Sequence, residues 1–69
     1  MTQLITNMKE YRKQRGIRQE KLAEEVEVRR ETIIRLEQGR YNPSLKLAID
    51  ICKILNARVE HLFSFQEDD

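Results

Sequence analysis

The sequence predicts a mostly α-helical fold, a bundle of five short helices in one domain. Apolar residues recur three and four positions apart along most of its 69 residues, which is the spacing of one face of a helix. Gly16, Gly39 and Asn56 divide these stretches, and glycine and asparagine commonly end helices. Short apolar stretches near the two termini, Leu4-Ile5 and residues 62–65, can also pair as a small two-stranded antiparallel sheet.

The length limits the size of the core and the means of stabilising it. We expect one domain at residues 1–66 and an acidic tail at residues 67–69. A domain of this size often needs a disulfide, a metal or a second subunit. Cys52 is the sole cysteine, which we interpret as a core residue, and His61 is the sole histidine. The sequence therefore predicts no disulfide within the chain, no metal and no cofactor.

The first three predicted helices, at about residues 7–15, 19–26 and 30–38, are short and closely spaced. Thr6 or Asn7 can cap the first helix with a side-chain oxygen. The apolar positions that define the second and third helices are Leu22, Ala23, Val26, Ile33 and Leu36.

The fourth predicted helix, at about residues 45–55, carries more apolar surface than one buried face requires. Ser44 can cap its start, and Asn56 can take the left-handed conformation that ends it. Because this apolar surface is so wide, we expect neighbouring elements to cover the helix on two sides. A last short helix is predicted at about residues 59–63.

The second and third helices form the pattern of a helix-turn-helix. The helices lie about three residues apart, and the second of the two carries exposed polar and basic side chains. Ala23 is small where the third helix must approach, and Val28 supplies an apolar plug in the turn. Residues 1–40 also hold ten Lys/Arg and seven Asp/Glu, a basic excess that favours contact with phosphate.

Four segments of the chain resemble the phage-repressor/Cro-type family, also called the Xre family. Any one segment is a weak signal, but all four in order and at the family's spacing are strong. They are Gly16-Ile17-x-Gln19-x-x-Leu22-Ala23, Thr32-Ile33-x-x-Leu36-Glu37-x-Gly39, Asn42-Pro43-Ser44-Leu45 and Val59-Glu60-x-Leu62-Phe63. The resemblance covers about residues 7–65 and is greatest to compact bacterial members of the family. It implies a lambda-repressor-like bundle in which terminal strands and the last helix help to build a dimer.

The resemblance also implies which residues contact double-stranded DNA. Gln19 corresponds to a phosphate contact at the start of helix two, and Gln38 and Arg40 correspond to backbone contacts beyond the recognition helix, residues 30–38. The residues expected to face base edges or nearby phosphates are Arg29, Arg30, Glu31, Ile34 and Arg35. In this family an arginine on helix one commonly pairs with an acid on the recognition helix, which implies a structural ion pair between Arg12 and Glu37.

Four positions depart from the family's pattern. Glu27 stands in the turn where glycine is usual, so a positive φ there would cost about 1 kcal/mol. Arg18, Arg29 and Arg58 stand at helix caps usually held by Ser or Thr, and arginine cannot accept a hydrogen bond from the first-turn amides. At Arg18 and Arg29 the added charge can instead strengthen phosphate binding. Nothing in the sequence explains why arginine replaces the usual Ser or Thr at position 58.

These observations predict a sequence-specific DNA-binding regulator, a repressor that binds a palindromic operator as a homodimer. The candidates for the dimer contact are the excess apolar surface of the fourth helix and the residues Ile54, Leu62, Phe63 and Phe65. Two alternatives stay open: an antitoxin-type protein that also neutralises a protein partner, and a protein-interaction bundle without DNA binding. We expect no enzyme, since one histidine and one cysteine leave no catalytic pairing and there is no glycine-rich phosphate loop.

The sequence also indicates where the protein acts. No apolar run reaches the roughly 20 residues of a membrane span, and residues 1–7 lack the pattern of a signal peptide. We therefore expect a cytoplasmic protein with no membrane partner. No separate ligand-sensing domain is evident, so we expect no small-molecule ligand either.

Overall fold

A computed structural model describes residues 2–67 and confirms the predicted arrangement of five helices with a two-stranded sheet. Each predicted helix boundary agrees with the structure to within one residue. None of the helices in this range is long and apolar enough to cross a membrane. The elements in chain order are β1 (Thr2–Thr6), α1 (Met8–Gln14), α2 (Gln19–Glu25), α3 (Arg30–Glu37), α4 (Leu45–Leu55), α5 (Val59–Leu62) and β2 (Phe63–Glu67).

The sheet joins the two ends of the chain, as the apolar stretches at the termini predicted. Strands β1 and β2 are antiparallel, and Leu4 lies opposite Phe65. Strand β2 extends to Glu67, which pairs with Thr2, so the sheet passes the predicted domain boundary at residue 66. The rest of the expected acidic tail, residues 68–69, lies outside the described residues.

The core is built from one to three side chains of each helix, together with Leu4 of β1 and Val26 in the turn after α2. Cys52, which the sequence analysis placed in the core, is half-buried and packs against this cluster. Burial raises the pKa of its thiol, and the charge of Glu60 raises it further, so the thiol stays protonated at neutral pH. The largest fully buried side chains are those of Met8, Leu22, Ile33, Leu36, Ile51, Leu55 and Leu62.

Helix starts are capped unevenly, as the sequence predicted. The Ser44 hydroxyl accepts a hydrogen bond from the amide of Leu47, at 3.1 Å, and so caps α4. At α1 it is Thr6 that supplies the side-chain oxygen, which accepts from the Met8 amide at 3.1 Å. The Asn7 side chain instead donates to the carbonyl of His61 and links α1 to α5. Helices α2, α3 and α5 follow Arg18, Arg29 and Arg58, and none of the three has a side-chain cap.

Helices α1 to α4 end in the same way. In each case a residue with positive φ follows the helix, and the next amide donates back to a carbonyl in the last turn, which is the Schellman motif. In the turn after α2, for example, the amide of Val28 donates to the carbonyl of Ala23 at 2.9 Å. The four positive-φ residues are Gly16 (66°), Glu27 (60°), Gly39 (73°) and Asn56 (50°).

Glu27 is the one side chain at these four positions that is poorly suited to positive φ. Glu27→Gly is therefore expected to raise the free energy of unfolding by about 0.5–1 kcal/mol, since the relief of backbone strain exceeds the entropy that glycine adds to the unfolded chain. Urea unfolding followed by circular dichroism measures the change. The matched control is Glu24→Gly, an exposed position inside α2, where we expect a loss of about 1 kcal/mol. A loss of stability in both variants would contradict the strain at Glu27.

Candidate DNA-binding surface

The recognition helix α3 presents the charged face that the sequence predicted. Its apolar side is fixed by Ile33 and Leu36, which are fully buried. Ile34 and Gln19 are half-buried, so Ile34 offers a smaller apolar surface than an exposed isoleucine would. The other candidate DNA contacts are all exposed, namely Arg18, Arg29, Arg30, Glu31, Arg35, Gln38 and Arg40.

The ion pair between Arg12 and Glu37 is present and almost fully buried. Nε of Arg12 donates to Oε2 of Glu37 at 2.7 Å, and Nη2 donates to Oε1 at 3.3 Å. The side chains are only 9% and 5% exposed. Nη1 of Arg12 also donates to the carbonyl of Ile17 at 2.9 Å, so this guanidinium holds α1, the start of α2 and the end of α3 together.

Gln19 extends this network toward the surface, a role that the sequence analysis missed. Its Nε2 donates to Oε1 of Glu37 at 3.1 Å, and its Oε1 lies 3.5 Å from Nη2 of Arg30. The predicted phosphate contact of Gln19 therefore shares its amide with the buried ion pair. The sequence features that could have predicted this contact are Gln19 at the start of α2 and Glu37 at the end of α3.

A shallow polar hollow opens beside this network at the start of α2. Its volume is ≈ 290 Å³. Three guanidinium groups line it, which makes the hollow suited to an anion. The lining residues are Arg12, Arg18, Gln19, Glu20 and Arg30.

Comparison with known proteins decides the family. The profile of the Helix-turn-helix family matches residues 8–62, which is most of the chain. The chain belongs to the Xre/Cro-type helix-turn-helix family. It is 52% identical over 64 residues to an HTH-type transcriptional regulator of Archaeoglobus fulgidus, covering 93% of this chain and 91% of that one. It is 44% identical over 62 residues to one of Bacillus subtilis, covering 90% and 94%.

Solved structures show the same fold. The transcriptional regulator VanUg superposes with a TM-score of 0.78 over 97% of this chain and 89% of that one, at 22% identity. The clp gene regulator ClgR of Corynebacterium glutamicum gives a TM-score of 0.72 at 30% identity. The match covers 77% of this chain but only 56% of ClgR. This helix-turn-helix protein is thus a DNA-binding transcriptional regulator, and its family is not a class of enzymes.

The candidate dimer residues of this regulator do not lie on one surface. Leu62 is only 1% exposed and belongs to the core, so its predicted place in an interface is wrong. Phe63 is half-buried and Phe65 is 60% exposed, both beside α4. Ile54 is 36% exposed, but its position on the helical repeat puts it on the opposite side of α4 from Leu45 and Ile49.

The expectation that neighbours cover α4 on two sides is also wrong. Leu45 is 76% exposed and Ile49 is 43% exposed, four residues apart on one face of the helix. The additional apolar residues of α4 are therefore exposed at the surface of the described chain and do not form a second layer of core.

Proposed function

We propose that this regulator is a cytoplasmic repressor that binds a palindromic operator as a homodimer, with α3 in the major groove and no catalytic activity. The observation that carries the proposal is the division of α3 into two faces. Ile33 and Leu36 fix one face in the core, while Arg30, Glu31 and Arg35 stand exposed on the other. A helix held in this way can enter the groove without loss of its packing.

The exposed side chains of α3 have the chemistry of base recognition. Arginine is the usual bidentate partner of the O6 and N7 atoms of guanine, which suits Arg30 and Arg35. Glu31 can accept from the exocyclic amine of cytosine or orient a neighbouring arginine. The half-buried Ile34 offers an apolar contact for a thymine methyl group.

Phosphate contacts would flank the recognition helix on both sides. Before it lie Arg18, Arg29 and the arginine-lined hollow at the start of α2. Helices α2 and α3 have no side-chain cap, so amides of their first turns can donate to phosphate oxygens. After α3, Gln38 and Arg40 are exposed at the turn that ends the helix. In a dimer two such surfaces would lie about 34 Å apart, one turn of DNA, and the bound protein would occlude a promoter.

The experiment is a fluorescence-anisotropy titration with a duplex selected from a random pool and with DNA from upstream of the gene. We expect Arg30→Ala and Arg35→Ala to weaken binding to the selected duplex by about 1–3 kcal/mol each and to relax base preference. The matched control is Arg58→Ala, since Arg58 is exposed, follows α4 and pairs with Glu60 at 3.3 Å. It should bind like the wild type.

The same titration at two salt concentrations distinguishes sequence-specific binding from non-specific attraction to DNA phosphates. Phosphate contacts alone predict a steep salt dependence with equal affinity for all sequences. If no duplex is enriched over scrambled DNA, or if Arg58→Ala weakens binding as much as Arg30→Ala does, α3 does not read the operator.

A further inference from the structure

The N-terminal strand β1 touches the turn that ends the recognition helix. A Cβ placed on Gly39 would lie 2.5 Å from the carbonyl oxygen of Leu4 and 3.6 Å from its carbonyl carbon, so this C=O bond points at the turn. Only glycine allows two backbones to approach so closely. Gly39 therefore has a second role besides its positive φ, since it lets β1 pack directly against the end of α3. We call this approach the Leu4–Gly39 contact.

Strand β1 is itself held in place on both sides of this contact. The Leu4 side chain is 4% exposed and belongs to the core, and Leu4 lies opposite Phe65 in the sheet. Just after the strand ends, the amide of Asn7 donates to the carbonyl of Leu62 at 2.9 Å. The sheet and the core together thus fix the Leu4 carbonyl, which limits the movement of the turn that rests against it.

The turn determines the direction in which the chain leaves the recognition helix at Arg40. The Gly39 amide donates to the carbonyl of Leu36 at 3.0 Å. The Arg40 amide donates to the carbonyl of Arg35 at 2.9 Å. Residues 40–44 then belong to no helix or strand before α4 begins. Because this segment is not part of a regular element, the position of Arg40 depends on what holds the turn, and the contact with β1 is one such support.

We propose that β1 is a positioning element of the DNA-binding surface, which holds the turn after α3 through the Leu4–Gly39 contact so that Arg40 meets a phosphate of the bound DNA. The proposal deepens the proposed function, because it rests on the phosphate contact of Arg40 invoked there. A backbone that is already fixed loses less conformational entropy when its side chain binds. By reciprocity, a phosphate on Arg40 must stabilise β1 to the same extent. Order in the terminal sheet and affinity for DNA are thus linked.

This role of β1 differs from that of the buried face of α3. Ile33 and Leu36 are fully buried and fix the recognition helix from within the core. The side chains that would contact bases, Arg30 and Arg35, lie on that helix. Loosening β1 should therefore weaken binding to every duplex equally and lower its salt dependence, while the preference among sequences stays as in the wild type.

The test is a titration of Ile5→Pro, Arg40→Ala and the double variant with a single half-site duplex, so that assembly of two copies does not enter. Because Leu4 directs its carbonyl away from β2, Ile5 is the residue that bonds to its partner Ser64, and proline removes that amide. One phosphate contact changes the slope of log K against log salt by about 0.9, which is about eightfold in affinity at about 0.1 M salt. We expect Arg40→Ala to lose this contact and Ile5→Pro to lose most of it, with a lower slope in both. The double variant should bind no more weakly than Arg40→Ala alone.

Ile54→Gly is the matched control for a general loss of stability. Ile54 has an exposure similar to that of Ile5, at 36% against 39%, and glycine there weakens the middle of α4 without touching β1. Circular dichroism shows whether each variant is folded at the temperature of the titration. The control should bind with the affinity and the salt slope of the wild type, so a change seen only in Ile5→Pro arises from β1.

A second measurement, hydrogen exchange, uses the wild-type chain and does not depend on how well Ile5→Pro folds. The half-site duplex should slow exchange of the β1 amides more in the wild type than in Arg40→Ala, because only the wild type has the phosphate contact that orders the strand. The two chains are compared at equal saturation with DNA, which removes the general stabilisation that any bound ligand gives.

The positioning role of β1 is overturned if Ile5→Pro binds like the wild type, if the two substitutions weaken binding additively, or if DNA slows β1 exchange equally in both chains. It is also overturned if Arg40→Ala keeps the wild-type salt slope, because there is then no phosphate contact to position. Arg30→Ala on selected and scrambled half-sites tests base reading separately. If that variant loses sequence preference in any of these cases, the proposed DNA reading stands.

Discussion

Glu37→Ala is expected to lower the free energy of unfolding by about 3–5 kcal/mol, because it leaves the guanidinium of Arg12 buried without its carboxylate. Arg12 is 7% exposed, and two of its three hydrogen bonds go to Glu37. A loss of this size is a large part of the stability of a small domain. Urea unfolding at neutral pH measures it, provided that the variant is still folded in the absence of urea.

Two further variants distinguish the stranded charge from a simple loss of contacts. Gln19→Ala removes a neutral donor to the same carboxylate, at 3.1 Å, and should cost only about 1 kcal/mol. The double variant Arg12→Met/Glu37→Leu removes both charges, so we expect it to be more stable than Glu37→Ala. A double variant that is no more stable than Glu37→Ala would show instead that the loss comes from the missing contacts and not from the buried, unpaired charge of Arg12.

The parts of the fold that depend on local chemistry were predictable from the sequence. Gly16, Gly39 and Asn56 end helices because positive φ suits those residues, and Ser44 caps α4 because its hydroxyl reaches the Leu47 amide. Each of these signals lies within a few residues of its effect. The pairing of β1 with β2 was also predictable, although its partners are the two ends of the chain.

The parts that depend on which elements meet were not predictable in the same way. Helical periodicity shows that α4 has a wide apolar surface, but it does not show that Leu45 and Ile49 stay exposed. The sequence places Leu62 in a short apolar stretch near the C-terminus, which we assigned to the dimer contact. In the structure Leu62 is buried, because α5 packs against the start of α1, where the Asn7 amide donates to the Leu62 carbonyl at 2.9 Å. The base contacts of α3 stay a prediction, since they depend on DNA.

Gly39→Ala is expected to be the most damaging of the glycine substitutions, at about 2–5 kcal/mol. Gly39 has φ of 73°, so alanine is strained there in any surroundings. In addition, a Cβ at this position would lie 2.5 Å from the carbonyl oxygen of Leu4, which belongs to the backbone of β1 and cannot rotate away. Strand β1 would have to move, and Leu4, which is 4% exposed, would lose part of its packing in the core.

Gly16→Ala is the control that separates the clash from the strain. Gly16 has φ of 66°, but a Cβ there would have nothing within 4 Å. We therefore expect it to cost only the backbone strain, about 1 kcal/mol. Urea unfolding gives the difference between the two variants, and hydrogen exchange at the amides of β1 shows where it arises, since only Gly39→Ala should speed exchange there. Equal losses of stability in the two variants would mean that β1 can shift with little loss of free energy. The contact between β1 and the end of the recognition helix would then not fix the position of the sheet.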